Sequence, residues 1–461
     1  MKESRIEITT LGGVELEGCL IRLGRFEVVF DVFSPEVLLR TSEVLPRLKI
    51  LRQGCVVYEG RATVTNLINL AGGVTCVATV EEPGVFVTPV SGAEAGWRAS
   101  FSRFMEDWNT ARRIAPEFKL AVTDLQLFLT NLRHWLDEVE ISMAHESPGR
   151  VNESERLMVE QIRPGLIQTL ASLTNRFEEV AAKVRTEERA VYERFTRERL
   201  HPLVLVAPFA HRTYAKPLGY AGDYQMMNMI MRRRGEGASL YARMVHSWLV
   251  EQPPAEAVRN RTAHLGVRLV EETLRVHHEG RRARILNIGC GPAWEVQQFI
   301  KASRLSDYAD FELVDFNPET LAYVNQTLEE SRRAAGRSTT FKLVEMSVYQ
   351  IIKRSLARQR GIEQSYDLIY CSGLFDYMSK NVCQQLVKAF LEALLPGGLV
   401  LVANMEAERP FRYNTEYLLG WHLVFRNSQS MAELVPANFT GRSEIVVEPA
   451  SVNLFLELRK D

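Results

Sequence analysis

The chain has 461 residues, 46% of them apolar and 25% charged, with 56 lysines and arginines against 57 aspartates and glutamates. That length carries two or three domains with a sizeable core, which excludes a small scaffold dependent on disulfides or a metal, and the composition excludes a mostly disordered chain. A formal charge of −1 supplies no global field for seeking nucleic acid or anionic membrane.

The start, MKESRIEITTLGG, has no apolar signal core, and no 18 uncharged apolar residues run together anywhere. A soluble cytoplasmic protein without integral membrane association is expected. Cys19, Cys55, Cys76, Cys290, Cys371 and Cys383 form no C-x-x-C pair and the nine histidines are unclustered, so no metal site is expected.

From about residue 5 to 90, short alternating runs (RIEITT, VELEGCLIRL, FEVVFDV, CVVYEGRATVTNLI, VTCVATV) are punctuated by Gly12, Gly13, Gly24, Gly60, Gly72 and Gly73. Period-two alternation with turn residues predicts a small antiparallel sheet or barrel over 1–97, ending in a linker at 84–97. From 98 to 200 apolar positions recur with a 3.6-residue period, which predicts long amphipathic helices with a break around His145 to Gly149. Their apolar stripes suit closure of a homodimer and packing onto a catalytic domain equally well. A further helical region spans 201–282.

From about 283 the pattern becomes strand, helix, strand: ARILNIG, FELVDFN, TFKLVEM, YDLIYCSG and GGLVLVANM, with helix-compatible stretches between. This alternation predicts an α/β domain over 283–461, a parallel sheet covered on both faces. The tail, EIVVEP and NLFLELRK around Ala450 and Ser451, reads as an antiparallel hairpin closing that sheet.

The first of these strands runs into Asn287 to Glu295, where Gly289 and Gly291 allow a sharp turn and close approach to a ligand at a helix N-terminus. Asp315 ends the second strand 26 residues after Gly289, near the spacing at which a carboxylate takes both hydroxyls of a ribose. Trp294 stands where a dinucleotide site carries its third glycine, and no arginine follows Asp315 to hold a 2′-phosphate. A plain strand-end turn and a nicotinamide or flavin site remain the other readings.

The G-C-G-P run, the acidic end of the second strand, Pro396-Gly397-Gly398 and the terminal hairpin resemble the class I S-adenosylmethionine-dependent methyltransferases over roughly 283–461. More locally, HRTYAKPLGYAGDYQMMNMI (211–230), GCGPAWE, SGLFDYMSK (372–380) and WHLVFR (421–426) resemble the bacterial methyltransferases of 3-hydroxypalmitic acid methyl ester biosynthesis. The N-terminal region looks like a PilZ-type barrel. Neither the R-x-x-x-R stretch nor the D/N-x-S-x-x-G motif with which that family reads cyclic di-GMP is intact, so binding of that nucleotide is not expected.

The resemblance implies a Rossmann-like seven-stranded methyltransferase sheet with a terminal antiparallel hairpin, preceded by a helical region and a small β-barrel. It implies S-adenosylmethionine as cofactor, with Gly289 and Gly291 on its methionine and ribose side, Asp315 on the ribose hydroxyls and Phe316 against adenine. Glu345, Met346 and Ser347 fall at the adenine edge, with core packing for Phe316 and a helix cap for Glu345 as the other readings. Ser372, Phe375, Asp376 and Tyr377 leave the fourth strand where an acceptor should face the methyl group. Lys216 to Tyr224, which includes Gly219, Tyr220 and Asp223, reads as a lid over the cofactor or as a helix-packing corner, with Tyr214 just before it. Arg261 or its competitor Arg259 is placed to pair with the methionine carboxylate. The segment 404–430 covers the acceptor, with His422 as a base and Arg426 as a carboxylate clamp; core or surface roles compete for His422.

The expected reaction is O-methylation of a small-molecule or fatty-acid carboxylate. N-methylation, cyclisation of the cofactor and a non-catalytic sensor are the alternatives. Nucleic-acid modification is not expected: the runs at Arg232 to Arg234 and Arg281 to Arg282 are short, and the fourth strand lacks N-P-P-Y or D-P-P-Y.

Overall fold

In a computed structural model of the chain the described residues are all except 1–3, 12, 25, 33–38, 53–54, 71–72, 81–100, 103–104, 106–107, 110–112, 144–147, 357–364 and 408–410. The turn positions Gly12 and Gly72, the linker at 84–97 and the break at 145–147 expected from sequence lie outside them.

Six strands, β1 (Ser4–Thr9), β2 (Glu15–Leu23), β3 (Glu27–Val32), β4 (Val44–Arg52), β5 (Cys55–Leu70) and β6 (Gly73–Val80), close into a barrel of order β1-β2-β3-β6-β5-β4. All its neighbours pair antiparallel. Alternation places Ile6, Ile8, Val28, Phe30, Ile50 and Val64 inside, and closure leaves no free edge.

A run of helices follows: α1 (Pro116–Met143), α2 (Pro148–Ala181), α3 (Arg189–Val204), α4 (Pro208–Ala215), α5 (Tyr224–Arg232), α6 (Leu240–Val250) and α7 (Pro253–His278). Helix α1 buries Phe118, Val122, Leu125, Leu129 and Leu136, one face of a 3.6-residue repeat. These side chains share a core with α4 to α6 and with Tyr417 to Trp421, so the helices pack onto the rest of the molecule. The opposite face of α1 leaves Leu120, Leu127, Trp135 and Ile141 exposed.

The last part alternates β7 (Ala283–Ile288), α8 (Trp294–Ala302), β8 (Ala309–Asp315), α9 (Pro318–Ala335), β9 (Thr340–Glu345), α10 (Val348–Leu356), β10 (Tyr366–Cys371), α11 (Lys380–Ala393) and β11 (Leu394–Met405). It ends in α12 (Arg412–Leu419), α13 (Ser428–Ala432), β12 (Gly441–Val447) and β13 (Asn453–Lys460). The sheet order is β12-β13-β11-β10-β7-β8-β9. β7 to β11 run parallel, and β13 and β12 close the sheet antiparallel, as the tail pattern predicts. One face packs on α7, α8 and α9 and the other on α10, α11 and α13. The strand order reverses between β7 and β10, so a crevice opens at their carboxyl ends.

The barrel docks over this edge. The Ser42 hydroxyl donates to the His422 carbonyl at 2.8 Å and accepts from the His422 amide. The Val44 amide donates to Gly219 O at 3.0 Å, and Arg61 donates to Ala215 O at 3.0 Å. No helix among the described residues is long and apolar enough to cross a membrane.

Candidate functional site

A cleft of about 1160 Å³, mouth included, sits at the reversal point. Its floor is the turn after β7. Gly289 (φ 69°) and Gly291 (φ 49°) both take the left-handed region, which glycine occupies without cost. Nothing lies within 4 Å of where a Cβ on Gly291 would stand, so the loop leaves room for a ligand against bare backbone.

Asp315, at the end of β8, faces this loop. Its Oδ2 accepts from the Gly291 amide at 3.2 Å and its Oδ1 from the Asn317 amide at 3.0 Å. Burial pushes its pKa up, opposed by those backbone donors. Phe316 follows, its ring 5.2 Å from that of Tyr220, and both line the cleft. Burial pushes the Tyr220 phenol well up.

Beneath the glycine loop the two ends of the Asn287 to Glu295 stretch join Tyr370 in a network. Glu295 Oε1 accepts from the Tyr370 hydroxyl at 2.8 Å and from Asn287 Nδ2 at 3.1 Å. All three side chains are buried and border the cleft, and burial raises the Glu295 pKa. Arg261, on α7, is buried at the same wall with Nη1 3.8 Å from Asp376 Oδ2. Gly373 (φ 90°) packs directly on that guanidinium. Arg259 instead pairs with Glu256 at 2.5 Å and donates to the Ile230 and Val250 carbonyls, outside the cleft.

Ser372, Asp376 and Tyr377 line the cleft beyond β10, whereas Phe375 is buried in the core behind it. Asp376 accepts from the Met405 amide at 2.6 Å. Burial lifts its carboxyl to about 6 against the pull of Arg261. The Tyr377 hydroxyl donates to Ala221 O at 3.0 Å and accepts from the Trp421 indole at 2.8 Å. Gly222 (φ 81°) lets the two chain segments approach: a Cβ there would stand 2.5 Å from the Tyr377 oxygen. The segment around Tyr220 to Gly222 is therefore pinned over the cleft through Tyr377. Trp294, whose bulk sets this turn apart from a dinucleotide loop, lines the cleft and donates to Asn228 Oδ1 at 2.7 Å.

The remaining sequence candidates lie elsewhere. Asp223 caps α5, accepting from the Met226 amide at 2.9 Å, and pairs with Arg212 at 2.8 Å. Gly219 (φ 85°) packs against Leu11 of the barrel. Tyr214 and His422 border a second cavity, between barrel and helices, with Arg194, Arg197 and Lys216. Burial, with Arg197 and Lys216 adding to it, pushes the His422 imidazole far down. Arg426 is buried and donates to the Phe375 carbonyl at 2.8 Å, the Met378 carbonyl at 2.6 Å and Asn404 Oδ1. Those bonds make it a brace for the loop after β10. Glu345, exposed, pairs in register with Asp315 across β8 and β9; the Met346 amide donates to Asp315 O at 3.0 Å, and Ser347 caps toward Gln350. None of these three borders the cleft. Glu408 and Arg409, charged residues of the 404–430 segment, lie outside the described residues.

The chain matches no protein-family model and no curated protein. Among solved structures it is similar to one described as a possible exported protein from Bordetella parapertussis (16% identity, TM-score 0.39, 68% of this chain and 99% of that one). It is also similar to magnesium protoporphyrin IX methyltransferase from Synechocystis PCC 6803 with bound SAH (10% identity, TM-score 0.35, 51% and 94%). A third is the N-methyltransferase NodS from Bradyrhizobium japonicum WM9 in complex with S-adenosyl-l-homocysteine (15% identity, TM-score 0.29, 43% and 86%).

Proposed function

We propose that this chain is an S-adenosylmethionine-dependent methyltransferase that O-methylates a carboxylate of a small molecule or hydroxy fatty acid. The observation that carries the cofactor assignment is the buried Asp315 carboxylate facing the open, left-handed Gly289–Gly291 turn at the reversal point of the sheet.

The residues present fit that cofactor. Asp315 would accept from the ribose hydroxyls, the touching rings of Phe316 and Tyr220 would lie on one side of the base, the glycine turn would give room to the ribose and methionine side, and Arg261 would pair with the amino-acid carboxylate. Bound there, the cofactor supplies a methyl group activated by a sulfonium. The chain's own part is to orient an acceptor beside Ser372 and Tyr377 and to exclude water. The Tyr377–Ala221 and Tyr377–Trp421 bonds hold the covering segment shut. Met227, Met231, Val258, Leu265, Leu374 and Met405 give the cleft apolar walls, suited to an acceptor with a hydrocarbon body. A carboxylate acceptor arrives ionised at pH 7 and needs no base.

Asp376 favours a second reading. It borders the cleft and titrates near 6, which suits a base for a hydroxyl or amine acceptor. The pH profile separates the two: at pH 5.5 turnover of a carboxylate stays close to its pH 8 rate, whereas base-dependent transfer falls to roughly a quarter of it and is lost in Asp376→Asn. Mass spectrometry of the protein incubated with methyl-labelled S-adenosylmethionine, alone and with an extract of small acids, tests the proposal itself. A labelled ester that appears only with extract supports it; label converted without extract points to cyclisation or self-methylation, and no conversion despite bound cofactor counts against turnover.

A further inference from the structure

The cleft is completed by two residues of the barrel. Arg40 and Thr41 both border it, although they lie more than 200 positions from every glycine of the β7 turn. The Arg40 guanidinium lies 4.7 Å from the centroid of the Phe316 ring, and its charge reaches Asp315 and Tyr220, lowering the pKa of each against burial. Thr41 is buried, and its hydroxyl has no hydrogen-bond partner. A buried hydroxyl without a hydrogen bond costs free energy, and this one belongs to a residue of the cleft wall.

The segment is held rigidly. The Arg40 amide donates to Glu43 Oε2 at 2.9 Å, the Glu43 amide donates to Arg40 O at 3.1 Å, and Ser42 (φ 61°) donates its amide to Val64 O at 2.7 Å. On the other side the Thr41 amide meets Tyr377 O at 3.4 Å and the Ser42 hydroxyl is bonded to the His422 backbone. The turn is thus fixed to both the barrel and the sheet domain, which sets Arg40 and Thr41 in the wall of the cleft.

We propose that the barrel is a structural part of the cofactor site: Arg40 contacts the adenosyl end of the bound cofactor beside Phe316, and the Thr41 hydroxyl makes one hydrogen bond to it. This rests on the cofactor assignment above. A guanidinium plane over an aromatic ring adds attraction for a π system and for ribose oxygens, and a preorganised hydroxyl binds without first breaking a bond inside the protein.

Calorimetric titration of S-adenosylhomocysteine into the full chain tests it. Arg40→Ala is expected to weaken binding about tenfold, and Thr41→Val about fivefold. Because the Thr41 hydroxyl is unpartnered, Thr41→Val should leave the melting temperature unchanged or raise it, which a merely structural threonine would not do. Wild-type affinity in both variants, with binding weakened in Asp315→Asn, overturns the role of the barrel and leaves the cofactor assignment standing. No binding by the wild-type chain overturns both.

Discussion

Asp376 sets burial against the Arg261 guanidinium at 3.8 Å, the Met405 amide and the charge of Arg426, and burial wins, lifting the carboxyl from 3.8 to about 6. A carboxyl raised in the folded state gives stability that is present below the ordinary carboxylate range and lost as the pH rises through about 6. The wild type should therefore lose on the order of 2 kcal/mol between pH 4 and pH 7 on account of this residue. Denaturant unfolding at the two pH values should show a smaller loss in Asp376→Asn; equal losses would show that Asp376 is not the group responsible. Gly222 carries a different constraint. With φ at 81° and the Tyr377 oxygen 2.5 Å from where a Cβ would stand, Gly222→Ala should cost about 1–3 kcal/mol. Near-wild-type melting in that variant would contradict the pinning of the covering segment. The glycines of the β7 turn and Asp315 are legible in the sequence because a glycine pair after an apolar run and an acid ending the next one are local patterns. Arg40 and Thr41 have no such marker, since only the docking of the barrel brings them to the cleft.

The elements follow the same division. Strands with clean alternation, such as β3 and β6, and the five apolar runs of the parallel sheet are readable from periodicity alone. Strand β4 is not among the alternating runs of the sequence, and its residues explain why: Pro46 and three basic side chains interrupt VLPRLKILR. The sheet absorbs the proline with a register shift between Leu45 and Leu48 against β5, a bulge that spares a lost ladder bond. The run from Asn404 to Arg426 suggests acceptor contacts by its charges alone, yet two of the three partners of Arg426, the Phe375 and Met378 carbonyls, lie in the loop after β10, a relation no local pattern encodes. Arg426→Ala would take the guanidinium donors away from two buried carbonyls and from Asn404 and should cost about 3–5 kcal/mol. Arg426→Lys should recover little, because an ammonium cannot reproduce the planar fork. Thermal unfolding of the two variants checks this; full recovery by lysine would mean that charge alone matters.

In the whole molecule, three layers of structure meet at one edge of the sheet: the parallel strands provide the floor, α5 and α7 the back wall, and the barrel the roof. The helices of 98–200, whose stripes suit two partners equally in the sequence, bury one face against α4 to α6 and α12. Ser42 ties the barrel to the chain that follows α12, through both backbone groups of His422. Ser42→Ala should destabilise the protein by about 1–3 kcal/mol, since two buried backbone groups lose their partner, and calorimetry should show the loss in the transition that includes the seven-stranded sheet. A loss confined to a separate barrel transition would mean that the two bodies are not coupled.

Whether the cleft between the glycine turn and Asp315 holds S-adenosylmethionine is decided by titrating S-adenosylhomocysteine into the wild-type chain and into Asp315→Asn, with folding of the variant checked by its melting curve. One site per chain is expected in the wild type, with a loss of affinity of roughly tenfold or more in the variant. Equal affinity in the two folded proteins, or no binding to the wild type, would refute the assignment.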